Sequence, residues 1–172
     1  MKDFLQGRWL RHPLHPVLAH VPTALWPSSL VFDILANLGV GGNAMYQTSF
    51  YAMLFGLLVA LLAIPAGLAD WLDIKRDRPA WKLGLYHLIL NLLVTVLWAI
   101  NLVMRWGTLN TASAVPLPLL ALSVLATLML VASGYLGGLM VYDYGISVAR
   151  LSKDKWRRIA EAGGANVPQP QQ

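Results

Sequence analysis

Residues 50–72 read FYAMLFGLLVALLAIPAGLADWL, an apolar run that carries no charge before Asp70. A helix needs about 20 mostly apolar residues to cross the hydrocarbon layer of a bilayer, and this run has that length. Three further stretches qualify, at about 16–38, 82–104 and 116–142. Breakers separate them: Gly39-Val40-Gly41-Gly42-Asn43 after the first, Arg78-Pro79 before the third, and Asn110 to Pro118, with Pro116 and Pro118, before the fourth. The pattern predicts an all-α, integral membrane four-helix bundle, with residues 1–150 as one transmembrane domain. No second domain and no internal repeat is read from it.

Composition agrees. Of 172 residues, 57% are hydrophobic and 12% charged, where soluble domains run at about 25% charged. A chain of this size cannot hide that much apolar surface in one aqueous core, so lipid serves as solvent for the rest. The formal net charge is +5. Its basic residues sit in short segments between the apolar runs, which suits topology signals and anionic headgroups. No soluble module is there to carry nucleic-acid binding. There is no cysteine, so disulfides, thiol catalysis and cysteine-ligated metal clusters are excluded. No cleavable signal peptide is expected, and the first apolar run is read as a retained span.

Lys and Arg set the orientation. Lys2, Arg8 and Arg11 precede the first span; Lys75, Arg76, Arg78 and Lys82 fill the second connection; Arg150, Lys153, Lys155, Arg157 and Arg158 follow the fourth span. The first connection has no basic residue and the third only Arg105. In a four-span chain the three basic segments share a side, so both termini are expected in the cytoplasm. Within 151–172, Leu151 to Ala162 reads as a basic amphipathic helix on the membrane surface, and Asn166 to Gln172 as a disordered tail.

Polar groups inside spans are costly and mark function. At ~1.5 Å per residue, His20 lies about 6 Å inside the first span and His87 about 7 Å inside the third. Asp70 reaches a similar depth from the end of the second span. His12 and His15 lie just above, and Asp73 one turn beyond Asp70. All four histidines thus fall in one layer on the cytoplasmic side. In His12-Pro13-Leu14-His15-Pro16 each proline holds its predecessor extended, so both histidines are expected before the helix, on stiff backbone suited to a ligand site. The alternative is a rigid helix entry with interfacial histidines. Gly84, His87, Asn91, Thr95 and Trp98 share one face of the third span, with Asn91 one turn from His87 and able to fix its tautomer. Ala52, Gly56, Ala60, Ala63 and Gly67 form a small-residue stripe on the second. The fourth carries the pair Gly134 and Gly138, which suits either close helix approach or space for a flat ligand. The outer half offers Asp33 and Asn101, read as helix–helix hydrogen-bonding groups.

These residues resemble the DUF2231 family of predicted bacterial membrane proteins, over about Gly7 to Val148. The strongest part is the His12-Pro13-Leu14-His15-Pro16 opening, which continues to Trp26. Further matches are Ala66 to Trp71, His87 with Asn91, and Gly134 to Val148. The resemblance implies a four-helix module in a bacterial cytoplasmic membrane. Relatives joined to Rieske-type domains hint at redox work. This chain departs at Leu139 and Tyr144, where relatives often carry an acidic residue and a histidine.

Three functional readings follow. In the first, the protein binds haem b for one-electron transfer, with His87 as one axial ligand and His15 or His20 as the other. Asn91 supports the site, Gly67, Gly134 and the tryptophans line a slot, and Arg8, Arg11, Arg76 or Lys82 meet the propionates. In the second, His12, His15, His20 and His87 hold a divalent transition metal with Asp70 or Asp73. In the third, the protein is a cofactor-free structural or assembly subunit, and Asp70 pairs with His87 or His20 as a helix lock. Haem stands slightly ahead of a non-haem metal. Expected partners are membrane lipids and a redox protein or larger membrane complex, with oligomers allowed. Ser28, Ser29 and Ser133 lack nucleophile-elbow context, and no P-loop or dinucleotide fingerprint occurs.

Overall fold

The computed structural model describes residues 1–10, 12–146, 158 and 160–164. The expected surface helix and tail over 151–172 fall almost wholly outside the described residues. A short helix α1 (Lys2–Leu5) precedes four long ones: α2 (Leu14–Asn37), α3 (Gly42–Trp71), α4 (Pro79–Arg105) and α5 (Leu117–Tyr142). No strand occurs among the described residues. Each long helix is long and apolar enough to cross a membrane.

Helix boundaries follow backbone chemistry. Pro13 is extended and caps α2. The helix starts at Leu14, so His15 lies in its first turn rather than in the extended entry expected above. Pro16 is tolerated there because first-turn N–H groups have no intrahelical acceptor. The α2–α3 turn uses left-handed Gly39 (φ 79°) and Gly41 (φ 68°), a conformation only glycine adopts freely. α3 begins at Gly42 rather than near Phe50. Its polar first turns are satisfied: Asn43 donates to the carbonyls of Leu109 and Ala112, and Tyr46 Oη meets Thr108 Oγ1 at 2.8 Å. Arg78 is extended and Pro79 opens α4, the position proline favours.

α2 packs chiefly on α3, and α4 on α5, giving two helical hairpins. The hairpins repeat one plan, a correction to the reading that found no repeat. Asp33 of α2 meets Arg105 of α4, 72 positions away. At the same offset Trp26 stacks on Trp98 (centroids 5.8 Å, interplanar 20°), and His15 meets His87 edge-on (6.3 Å, 89°). Residues that meet their own counterparts lie on a two-fold axis, here running along the bundle between α2 and α4. The repeat is written in the sequence too: His15, Leu18, Thr23, Leu25, Trp26, Leu30 and Val31 recur 72 positions on as His87, Leu90, Thr95, Leu97, Trp98, Leu102 and Val103.

The axis organises the core. Trp26, Trp98, Phe50, Met53 and Val94 are fully buried at its middle. Gly56 gives Trp26 its seat, since a Cβ there would fall 2.6 Å from the indole nitrogen. At the end remote from the N-terminus, Arg105 is buried inside the bundle. This overturns its placement in the third connection. Its two terminal nitrogens meet the two Asp33 carboxylate oxygens at 2.6 and 2.7 Å, and its Nε donates to Asn101 at 2.6 Å. Ser49 donates to Asp33 at 2.5 Å, and Ser123 does so at 3.2 Å. This half, expected to be the outer one and to hold little chemistry, contains a closed charged network. Asp33 and Asn101 are indeed interhelical bonding groups, as read.

Candidate functional site

At the opposite end, nearest the N-terminus, each hairpin builds the same seat for one imidazole. His15 Nδ1–H donates to the Ala63 carbonyl at 2.9 Å, and its ring lies on Gly67, where a Cβ would fall 2.7 Å from ring atoms. His87 Nδ1–H donates to the Ser133 carbonyl at 2.8 Å, and its ring lies against Gly137, where a Cβ would fall 3.0 Å from Cε1. In both cases the accepting carbonyl is one helical turn before the glycine. A carbonyl only accepts, so Nδ1 carries the proton in each ring and Nε2 keeps its lone pair. Asn91 fixes the second seat: its amide donates to Ser133 Oγ at 2.7 Å and lies 3.1 Å from His87 Nε2.

Both imidazoles line a cavity of about 380 Å³ with mostly apolar walls, within the range of small-ligand sites. Asp70, Asn91, Thr95 and His20 contribute the other polar lining. Asp70 interacts with His15 and Gln6, and with Asp73 and Arg8. It makes no ion pair with His87 or His20 among the described residues, so the expected helix lock through Asp70 is not formed. His20 is exposed and bonds its own helix, Nδ1–H to the Pro16 carbonyl at 2.5 Å. His12 is exposed outside the cavity. Asp73 is on the surface, bound to Lys2 and Gln6, and the latter bond is 2.5 Å. The six-residue metal set is therefore not brought together: among the described residues, no three of His, Asp or Glu are grouped to hold a metal ion. The reason is where the helices end: His12 precedes the start of α2 and Asp73 follows the end of α3, so neither is on a turn that lines the cavity.

The polar stripe of α4 is confirmed, with Gly84, Thr95 and Trp98 buried and His87 and Asn91 half-buried. The glycine pair of α5 is resolved in favour of space. A Cβ at Gly134 would meet nothing within 4 Å, and one at Gly138 only Tyr142 at 3.9 Å. Sequence reading missed Gly137 as the contact glycine, and missed Arg105. The signal for Arg105 was available: Asp33 is the lone acid of the first span, and Arg105 is the one basic residue between Lys82 and Arg150. A buried charge needs a partner.

Fold and site together define a multi-pass membrane protein built from two matched hairpins around a two-imidazole cavity. The chain belongs to the DUF2231 family, described as a predicted membrane protein, whose model matches residues 11–150. No curated protein and no solved structure matches it.

Proposed function

We propose that the cavity binds haem b through His15 and His87, and that the protein transfers single electrons within the membrane. The observation that carries this is the pair of matched seats. A metal-ligating histidine nearly always donates its other ring N–H to a carbonyl or carboxylate, and both imidazoles do so. Two protein ligands are too few for a closed metal ion, which takes four, but haem brings its own equatorial nitrogens and needs one or two axial groups. The two rings stand edge-on with centroids 6.3 Å apart, so His15 and His87 would be the residues to hold the group. His20, held to its own helix, is the weaker of the two first-helix alternatives. When bound, haem supplies a one-electron couple. The chain holds both Nδ1 protons on helix carbonyls, keeps both Nε2 lone pairs basic, and excludes water with apolar walls. Asn91 must yield its contact with His87 Nε2, and its Ser133 bond keeps it in place. The basic segments support a cytoplasmic orientation for this end of the bundle, in a bacterial inner membrane.

The test is the visible spectrum of detergent-purified protein made with haem and metals supplied. A Soret band that moves on reduction is expected. His15→Ala and His87→Ala abolish it, while His12→Ala and His20→Ala keep full occupancy. Full occupancy in His15→Ala or His87→Ala overturns the assignment. Stoichiometric metal without that band returns the non-haem reading; neither signal leaves a structural subunit.

A further inference from the structure

The two-fold repeat exposes one place where the hairpins differ at the cavity wall. The seats align Gly67 with Gly137, so Gly134 and Gly138 of α5 take the positions that Ile64 and Leu68 hold in α3. On α3 these are branched side chains, of which Ile64 lines the cavity and Leu68 is exposed beside it. On α5 there is none, and a Cβ at Gly134 would meet nothing within 4 Å. Exposure follows the same asymmetry. The exposed residues among the cavity lining, His20, Thr23, Gly134, Val141 and Tyr142, all lie on α2 and α5, whereas the lining from α3 and α4 is buried or half-buried. At the far end α2 and α5 are tied together. Asn37 Nδ2 donates to the Val115 carbonyl at 3.0 Å, Val115 N–H donates back to Asn37 Oδ1 at 2.6 Å, and Ser123 donates to Asp33 at 3.2 Å. On the cavity side of Asp33, no hydrogen bond links these helices among the described residues.

The cavity therefore opens sideways, between α2 and α5. Gly134 lies about 12 Å inside the end of α5 at ~1.5 Å per residue. That helix, about 39 Å long by the same rise, exceeds the roughly 30 Å hydrocarbon layer by only about 5 Å at each end. The opening thus faces acyl chains at Gly134 and reaches the headgroup layer at Val141 and Tyr142. A molecule that enters beside Gly134 comes from the bilayer. Acceptors meet it there: His20 gives its Nδ1 proton to Pro16, which leaves Nε2 with its lone pair. Thr23 spends its hydroxyl proton on the Ala19 carbonyl at 2.7 Å.

We propose that this window admits a lipid-soluble hydroquinone, whose apolar ring enters between α2 and α5 and whose hydroxyl donates to His20 Nε2. Choosing the hydroquinone class rests on the haem reading, which needs an electron donor dissolved in the same phase; the window itself does not. The test copies the closed wall onto the open one, with Gly134→Ile and Gly138→Leu in one chain. The probe is a radiolabelled decyl-substituted benzohydroquinone, kept reduced under argon and titrated into protein in nanodiscs, with empty nanodiscs subtracted. Expected are saturable binding to the wild type, at least about 10-fold weaker binding to the double variant, and about fivefold weaker binding to His20→Ala, the loss of one hydrogen bond. Haem content and melting temperature are read on the same samples. Wild-type-like binding by a folded double variant, or no saturable binding by the wild type, overturns the proposal whatever the haem content. Saturable binding that the double variant loses, in protein without haem, sustains the window and overturns only the haem reading.

Discussion

Arg105 is fully buried, and its guanidinium is clamped by Asp33 in a two-point contact with Asn101, Ser49 and Ser123 filling the remaining directions. Removing one member of such a pair strands the other charge in a low-dielectric interior, at a cost of about 3–5 kcal/mol, whereas replacing both by apolar groups of similar volume is far cheaper. Asp33→Leu and Arg105→Met are each expected to destabilise the bundle by about that amount, and the double variant by much less than the sum. Unfolding in mixed micelles measures this, and simple additivity would refute the coupling. The imidazole seats make a second residue-scale case. Gly67→Ala puts a methyl 2.7 Å from the His15 ring. The ring must swing away, so cofactor occupancy is expected to fall about 10-fold, as when a ligand-orienting group is lost, while melting stays close to wild type.

At the scale of elements, the segment holding α1 is tied to the end of α3 by the Asp73 carboxylate and by Gln6, whose amide also donates to the Ala69 carbonyl at 3.2 Å. Asp73 lies beyond the span, and hydrogen bonds from the Lys2 ammonium and the Gln6 amide hold its carboxyl below its ordinary value of 3.8. A lowered carboxyl stabilises the bound arrangement fully above that ordinary value and loses the contribution as pH falls through the lowered one. A spin label at Phe4 is expected to stay immobile near neutral pH and to gain mobility at pH values below 3.8. In Asp73→Asn it should be mobile at both. The four spans were legible because each carries its own evidence, a run of about 20 apolar residues between breakers. The early start of α3 was not. Asn43, Tyr46 and Gln47 look like loop residues until Thr108, Leu109 and Ala112 supply their partners.

For the molecule as a whole, orientation is the first quantity to measure, and a chain without cysteine allows it cleanly. Ala114→Cys, in the third connection, is expected to react with an impermeant maleimide added to intact cells, and Asp77→Cys only after permeabilisation. The reverse labelling would invert the bundle and place the imidazole cavity at the outer face. The candidate site was half legible. His15, His87 and Asn91 were named from depth and spacing, and the structure joins them. His12 and Asp73 were named on the same grounds and lie outside the cavity lining, because each sits just beyond the end of its helix, a boundary that depth along the sequence does not fix.

Sequence alone determined the solvent, the number of spans and the layer in which the histidines lie, since hydropathy and spacing along one chain are local quantities. The order of helices around the axis is a relation between distant segments, and only tertiary structure decided it. That order sets His15 opposite His87 and Asp33 opposite Arg105, and it leaves the glycines of α5 beside an open wall. Imidazoles and charges inside a bilayer are tolerable only with their partners, and those partners lie on other helices.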